Sequence, residues 1–249
     1  MKTYGLIGYP LAQSFSQKYF TDKFKRETID ARYLNFEIKS INDLPLVLDR
    51  HPYIAGFSVT IPHKEGVFAY LDELDESARL IGAANVIKVN WENKKPILKG
   101  FNTDLIGFTK SIKPLLKPHH KKALILGTGG AAKAIAHAFD MMNIEHKYVS
   151  RQTSLSESYS YSDLDETIIR EYNIIVNCTP LGMYPKVDTC PAIPYHLITK
   201  NHLLYDLTYN PETTLFMQKG IDNGAVGKNG LEMLHQQAEA AWDIWNTTD

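Results

Sequence analysis

Residues 123–139 read ALILGTGGAAKAIAHAF: an apolar run from Ala123 to Leu126 stops at a glycine cluster and resumes at once with helical spacing. The stretch reads as strand, tight turn and helix. Gly127, Gly129 and Ala132 fit the pattern G-x-G-x-x-G/A. In that pattern the first glycine permits the turn, the second lets backbone approach a pyrophosphate, and the third small residue lets helix pack closely on strand. Gly130 adds further room. A pyrophosphate placed there would meet unpaired N–H groups at the positive end of the helix beginning near Ala131, so no basic side chain is required. Glycine-rich turns occur in many α/β domains, and here it is the strand before and the helix after that point to a dinucleotide.

The end of the next strand indicates which dinucleotide. An NAD site usually places Asp or Glu on the ribose 2′-hydroxyl, whereas an NADP site recruits Arg for the 2′-phosphate. The strand His146 to Val149 ends in Ser150-Arg151. A planar guanidinium fork beside a hydroxyl suits a phosphate better than an ammonium would, so NADP is expected.

Working outward, 249 residues with 44% apolar content allow one large domain or two small ones, and the length favours two. Lys plus Arg number 27 and Asp plus Glu 28, a net charge of −1. That balance gives no electrostatic reason to expect nucleic acid or an anionic membrane, and a small molecule is the expected partner. No apolar run approaches the roughly 18 residues of a membrane span. The start, MKTYGLIGYP, lacks a cationic head followed by a long apolar stretch, so a cytoplasmic protein is expected. Cys178 and Cys190 are the only cysteines. They are too few for a disulfide scaffold and wrongly spaced for a zinc site, so no metal is expected.

The first hundred residues alternate strand-like and helix-like segments. Tyr4 to Gly8 reads as a strand, Ser16 to Thr28 as a helix, Tyr33 to Ile38 as a strand and Ile41 to Leu48 as a short helix. Gly56 to Ile61 alternates as a half-buried strand that Pro62 ends. Glu65 to Leu71 and Glu76 to Ile81 read as helices, and Asn85 to Val89 with Ile97 to Lys99 as a hairpin around Glu92-Asn93-Lys94. After the glycine turn, Ile174 to Cys178 and Leu203 to Leu207 are further buried strands. A final helix runs from about Leu231 to Trp245 with Leu231, Leu234, Ala241, Trp242 and Trp245 on its apolar face.

Polar residues crowd the ends of these strands, where open α/β sheets bind ligands. Ser14 and Ser16 follow the first strand, Thr60, His63 and Lys64 leave another through Pro62, and Asn85 sits between small residues and a strand. Asp104 begins a helix, and Gln236 and Gln237 lie on the last one. Each has an ordinary explanation: serines and aspartates cap helices, and most lysines are simply solvated.

Taken together they resemble the shikimate dehydrogenase family over nearly the whole chain. The matching series is Ser14-x-Ser16, Val59-Thr60-x-Pro62-x-Lys64, Gly82-Ala83-x-Asn85, Asn102-Thr103-Asp104, Gly127-x-Gly129-Gly130-Ala131, Asn177-x-Thr179, Asp206-x-x-Tyr209-x-Pro211 and Gly230-Leu231-x-Met233-Leu234-x-x-Gln237. The resemblance implies an α/β protein with an amino-terminal substrate-binding domain over residues 1–103 and a Rossmann-type NADP-binding domain over 104–228. A C-terminal helix, 229–249, would return to the first domain, with substrate in the cleft between the two.

It also implies roles. Ser14, Ser16 and Tyr209 would hold the shikimate carboxylate, while Thr60, Asn85, Asp104 and Gln237 would bond its hydroxyls. Lys64 would be the acid/base, paired with Asp104, because hydride transfer at C–OH requires a proton to move on the same oxygen. Gly127, Thr128, Gly129, Gly130 and Ala131 would cradle the pyrophosphate, and residues 150–155, with Ser150 and Arg151 foremost, would surround the 2′-phosphate. Thr179, Leu207 and Gly230 would lie beside the nicotinamide half, and Glu76 matches a weaker cofactor contact. The adenosine loop usually reads Asn-Arg-Thr in this family and here reads Ser150-Arg151-Gln152. A monomer or homodimer is expected. Two other functions are weighed. An NAD-dependent quinate/shikimate dehydrogenase would place an acid where Ser150 stands, and a non-catalytic nucleotide sensor would be expected to lose the lysine or the aspartate.

Overall fold

The computed structural model describes residues 1–11, 14–151 and 158–247. The chain divides into two units, Met1–Thr103 with Ala238–Asp249, and Asp104–Gln237. The division falls inside the final helix rather than at residue 229.

The first unit is built from β1 (Lys2–Gly8), α1 (Phe15–Arg26), β2 (Ala31–Glu37), α2 (Leu44–Arg50), β3 (Ile54–Val59), β4 (Glu73–Leu74), α3 (Glu76–Ile81), β5 (Val86–Glu92) and β6 (Lys95–Phe101). Its sheet has the order β2-β1-β3-β5-β6-β4. β1 runs parallel to both β2 and β3, and β3, β5 and β6 follow one another antiparallel. Local chemistry sets the boundaries. Ser14 caps α1 by accepting from Gln17 N–H at 3.1 Å, Asp75 caps α3, and Gly82 ends it with φ 71°, a conformation that favours glycine. Asn93 and Lys94 take φ 48° and 66° at the hairpin turn.

Two expectations change here. Glu65 to Leu71 is not an α-helix but a 3₁₀ segment, Gly66–Tyr70, closed by three-residue bonds from Phe68 N–H to Glu65 O and from Leu71 N–H to Phe68 O. A glycine followed by a valine and two aromatic rings in five residues offers little helix propensity to lengthen it. Ile41 to Leu48 splits into a 3₁₀ turn at Ile41–Asp43 and α2, which starts at a proline-bearing first turn.

The second unit contains α4 (Asp104–Ile112), β7 (Lys122–Leu126), α5 (Gly130–Met141), β8 (Glu145–Val149), β9 (Ser158–Tyr159), α6 (Glu166–Glu171), β10 (Ile174–Asn177), β11 (Leu203–Asp206), α7 (Leu215–Asp222), β12 (Val226–Lys228) and the first part of α8 (Leu231–Asn246). Its sheet is parallel throughout, in the order β12-β11-β10-β7-β8-β9. This is the doubly wound dinucleotide-binding order, and its direction reverses between β7 and β10. Helices on both faces explain why Ala123 to Leu126, Ile174 to Asn177 and Leu203 to Asp206 are all wholly buried and read as near-continuous apolar runs.

The rest of α8 completes the core of the first unit. Ala238, Ala241 and Trp245 join Tyr4, Phe20, Phe24 and Tyr33 on one face of the sheet, while Ile7, Phe36, Leu44, Phe57 and Ile87 fill the other. Trp245 stacks on Tyr4 at 4.9 Å between ring centroids and donates to Ile87 O at 3.0 Å. Gly56 makes room for it, since a Cβ there would overlap the indole. Truncating so large a buried side chain to Ala would cost about 3–5 kcal/mol. The buried row of α8 is Met233, Gln237, Ala241 and Trp245, whereas Leu231, expected on that face, stands exposed at the first position of the helix. Among the described residues no helix is long and apolar enough to cross a membrane.

Candidate active site

In the first unit the chain passes from β1 to β2 on one side and later to β3 on the other, so the carboxyl ends of β1 and β3 flank a point where strand order reverses. Ser14 and Ser16 leave β1 there at the start of α1, and Thr60 leaves β3. Gly8 permits their approach, because a Cβ would overlap Thr60 Cγ2 and lie 2.9 Å from Leu11 Cδ2. Backbone bonds tie the two exits: Thr60 N–H donates to Ile7 O at 2.9 Å and Tyr9 N–H to Ile61 O at 3.0 Å. Lys64 follows one turn on, half-buried, with its carbonyl accepting from Ala84 N–H at 2.8 Å. His63 turns inward instead; its ring bonds Ile38 O at 2.8 Å, so it is a satisfied core histidine.

Because β5 is antiparallel to β3, its beginning comes to the same edge. Val59 N–H donates to Asn85 O at 2.7 Å. The buried Asn85 amide donates through Nδ2 to Thr103 Oγ1 at 3.0 Å and accepts at Oδ1 from Thr103 N–H at 2.7 Å. One sheet edge therefore gathers Ser14, Ser16, Thr60, Lys64 and Asn85: two pairs of small polar groups and one ammonium. Glu76 belongs to this unit too, at the first position of α3, exposed and 3.9 Å from Arg79.

In the second unit the glycine turn sits at the reversal between β7 and β10. Gly127 has φ 106°, which demands glycine, and its N–H donates to Val149 O at 2.9 Å. Thr179, just past β10, faces it, with its Cγ2 3.4 Å from where a Gly127 Cβ would be. Gly129 precedes α5 with no side-chain cap, and a Cβ built on it would project into open space. The first N–H groups of α5 have no intrahelical partner, so this open cradle beside Thr128, Gly130 and Ala131 fits an anion. Ala132 is buried where the helix crosses the sheet. Ser150 N–H donates to Tyr159 O at 3.0 Å at the end of β8, and Arg151 is exposed beside Tyr161, whose hydroxyl its charge draws down against the upward push of burial. Residues 152–155, also expected around the 2′-phosphate, lie outside the described residues.

Leu207 and Gly230 meet at the carboxyl end of β11. A Cβ on Gly230 would overlap the Leu207 carbonyl, and Gly230 N–H donates to Thr208 O at 3.1 Å. Tyr209 follows in the same loop, half-buried, with burial pushing its hydroxyl above the ordinary value. Asp104 opens α4 and is buried. Gly107, one turn later on the same face, lets α8 come close: its missing Cβ would stand 2.5 Å from Met233 O and 3.1 Å from Gln237 Cβ. This contact seats Gln237 against Gly107, one helical turn after Asp104. Gln237 is buried with Nε2 donating to Leu234 O at 3.0 Å. Desolvation pushes the Cys178 thiol well above its usual value, and the carboxylates of Asp206 and Asp104 push the same way.

Sequence reading gave no role to Asn177 and Asp206, the polar residues that close two otherwise apolar strands. Both are wholly buried and hydrogen-bonded to each other at 3.1 Å. The signal was available: a lone Asn or Asp ending a buried run needs a partner.

The model of the shikimate dehydrogenase substrate binding domain matches residues 6–87. The shikimate dehydrogenase (NADP(+)) of Methanococcus maripaludis strain C6 is 36% identical, with 98% of this chain and 91% of that protein covered. A shikimate dehydrogenase solved in complex with NADP+ is 31% identical with a TM-score of 0.85, covering 100% of this chain and 91% of that one. The enzyme of Thermus thermophilus, solved with NADP(H) and shikimate, is 26% identical with a TM-score of 0.85, covering 99% and 94%. Sequence identity above a third along nearly its full length makes this chain a member of the shikimate dehydrogenase family.

Proposed function

We propose that this protein is an NADP-dependent shikimate dehydrogenase, catalysing the reversible reduction of 3-dehydroshikimate to shikimate in aromatic amino acid biosynthesis in the cytoplasm. The observation that carries the reading is the gathering of Ser14, Ser16, Thr60, Lys64 and Asn85 at one edge of the first sheet. Hydroxyls, an amide and an ammonium together suit a small acid bearing several hydroxyls and one reacting oxygen.

Ser14, Ser16 and Tyr209 are assigned to the substrate carboxylate, and Thr60, Asn85, Asp104 and Gln237 to its hydroxyls. Lys64 donates a proton to the carbonyl oxygen as the carbon is reduced and recovers it in the reverse direction; Asp104 is assigned to hold the same oxygen and orient it. When bound, the dinucleotide supplies the hydride. The open space at Gly129 and the uncapped start of α5 fit its pyrophosphate, and Arg151 is assigned to the 2′-phosphate.

Steady-state rates with shikimate or quinate against NADP or NAD test the proposal. Reduction of NADP by shikimate as the preferred pair is expected. A preference for NAD with quinate, or no turnover with any pair, would overturn it.

A further inference from the structure

Asp206 closes β11 with a carboxylate that has no exposure to solvent. Its Oδ1 accepts from Asn177 Nδ2 at 3.1 Å and from Thr208 N–H at 2.9 Å, and its Oδ2 accepts from Thr214 Oγ1 at 2.6 Å. These donors are uncharged. Burial pushes the Asp206 carboxyl upward, and the bonds from Thr214, Thr208 and Asn177 pull it back.

The direction of every bond in this network is forced. Thr179 N–H can only donate, and it meets one terminal atom of the Asn177 amide at 3.0 Å, so that atom is the oxygen. The other is then the amide nitrogen, and both atoms it meets, Asp206 Oδ1 and Leu181 O at 3.2 Å, can only accept. With the amide fixed, Thr179 Oγ1 must donate to Asn177 Oδ1 at 2.6 Å. Its proton is committed there. Leu181 N–H reaches the same oxygen only weakly, at 3.3 Å. The hydroxyl therefore presents lone-pair density and no proton just past β10, on a residue whose Cγ2 methyl faces Gly127 across the β7–β10 reversal.

We propose that Asp206 is a positioning residue of the nucleotide site: acting through Asn177, it locks the Thr179 hydroxyl as a hydrogen-bond acceptor, which selects an N–H donor such as the nicotinamide carboxamide. The inference rests on the reading of this chain as NADP-dependent. It gives a reason for Asn177 and Asp206 to be wholly buried at adjacent strand ends, where an apolar pair would pack at no desolvation cost. An uncommitted hydroxyl would accept or donate as its ligand required; this one discriminates.

Calorimetric affinities for NADP+ and for adenosine 2′,5′-bisphosphate, which lacks the nicotinamide half, test the relay in the full-length protein. Asp206→Leu removes the side-chain acceptor of the two, with Leu181 O, that hold the Asn177 amide nitrogen, and Thr179→Val removes the hydroxyl itself. Each is expected to weaken NADP+ about tenfold, the worth of one well-placed hydrogen bond, while the bisphosphate stays within about twofold. Asp206→Asn keeps an oxygen for Asn177 and Thr208 and offers an amide to Thr214, whose hydroxyl can accept, so it should bind both ligands nearly as the wild type does. Thr179→Ser should likewise retain NADP+ binding. Equal weakening of both ligands in Asp206→Leu, or unchanged NADP+ affinity in Thr179→Val, would overturn the relay. If Asp206→Leu does not fold, the contrast between Thr179→Val and Thr179→Ser decides. Failure of the functional reading would show in the wild type, which would then bind neither nucleotide; failure of the relay alone would show only in the variants.

Discussion

Gly107→Ala sets two effects of known size against each other. In an exposed helix the replacement would stabilise by about 1 kcal/mol, because Ala loses less backbone entropy than Gly. Here the added methyl would stand 2.5 Å from Met233 O, 3.1 Å from Gln237 Cβ and 3.2 Å from Gln237 N. Carbon–oxygen contacts relax to about 3.3–3.6 Å, so α8 would have to back away by about 1 Å. Overpacking of this kind costs about 1–3 kcal/mol and outweighs the propensity gain, leaving a net loss of up to about 2 kcal/mol. The displacement falls on Gln237, assigned to a substrate hydroxyl. A shift of about 1 Å in a positioning group can cost up to about 10²-fold. The expected outcome is a Tm lower by a few degrees, a higher KM for shikimate and a reduced kcat, with NADP affinity unchanged. Thermal melting and steady-state kinetics read all four quantities. A variant more stable than the wild type, with its kcat/KM for shikimate intact, would refute the close approach of α4 and α8 as the device that sets Gln237.

Lys64→Ala should lower kcat by about 10²–10⁴-fold with little change in shikimate affinity, since its assigned role is proton transfer; wild-type turnover would remove it from the mechanism. Arg151→Ala should raise the KM for NADP far more than that for shikimate, and an unchanged NADP affinity would show that the 2′-phosphate is held elsewhere. Glu239 is 2.8 Å from the buried Lys23 ammonium and accepts from the Tyr19 hydroxyl. Desolvation pushes its carboxyl up, but the bonds from Lys23 and Tyr19 win and hold it below the usual value of 4.5. A lowered folded value means stability present above 4.5 and lost as pH falls through the folded value. Glu239→Gln should therefore cost about 1 kcal/mol at neutral pH, modest because the carboxylate is 42% exposed, and the deficit should vanish in acid. Urea midpoints across pH check this; a deficit that persists in acid would assign the effect to packing.

The fold was legible wherever a long segment carried one period. β7 and α5 could be read from the apolar run and the glycine spacing, and the β5–β6 hairpin from its polar turn. What stayed hidden was short or depended on distant partners. α6 and α7 have 6 and 8 residues, with Asp165 and Thr214 as their only local start signals. β4, β9 and β12, of two or three residues, are too brief to show alternation. Of the polar candidates, Gln237 looked like part of a solvated face, yet it occupies the buried row of α8, because Gly107 admits that helix from 130 positions away in sequence, a closeness no local pattern records. Asp206 was overlooked for the same reason: its partner Asn177 is 29 residues distant.

The tryptophans carry a practical consequence. Trp91, Trp242 and Trp245 all belong to the first unit, and the nucleotide-binding unit has none. Indole emission will thus follow the melting of one half of the molecule and be silent about the other. An unfolding curve recorded by fluorescence alone would report a single transition even if the two halves came apart at different temperatures; far-ultraviolet dichroism, which sees both sheets, would expose the discrepancy.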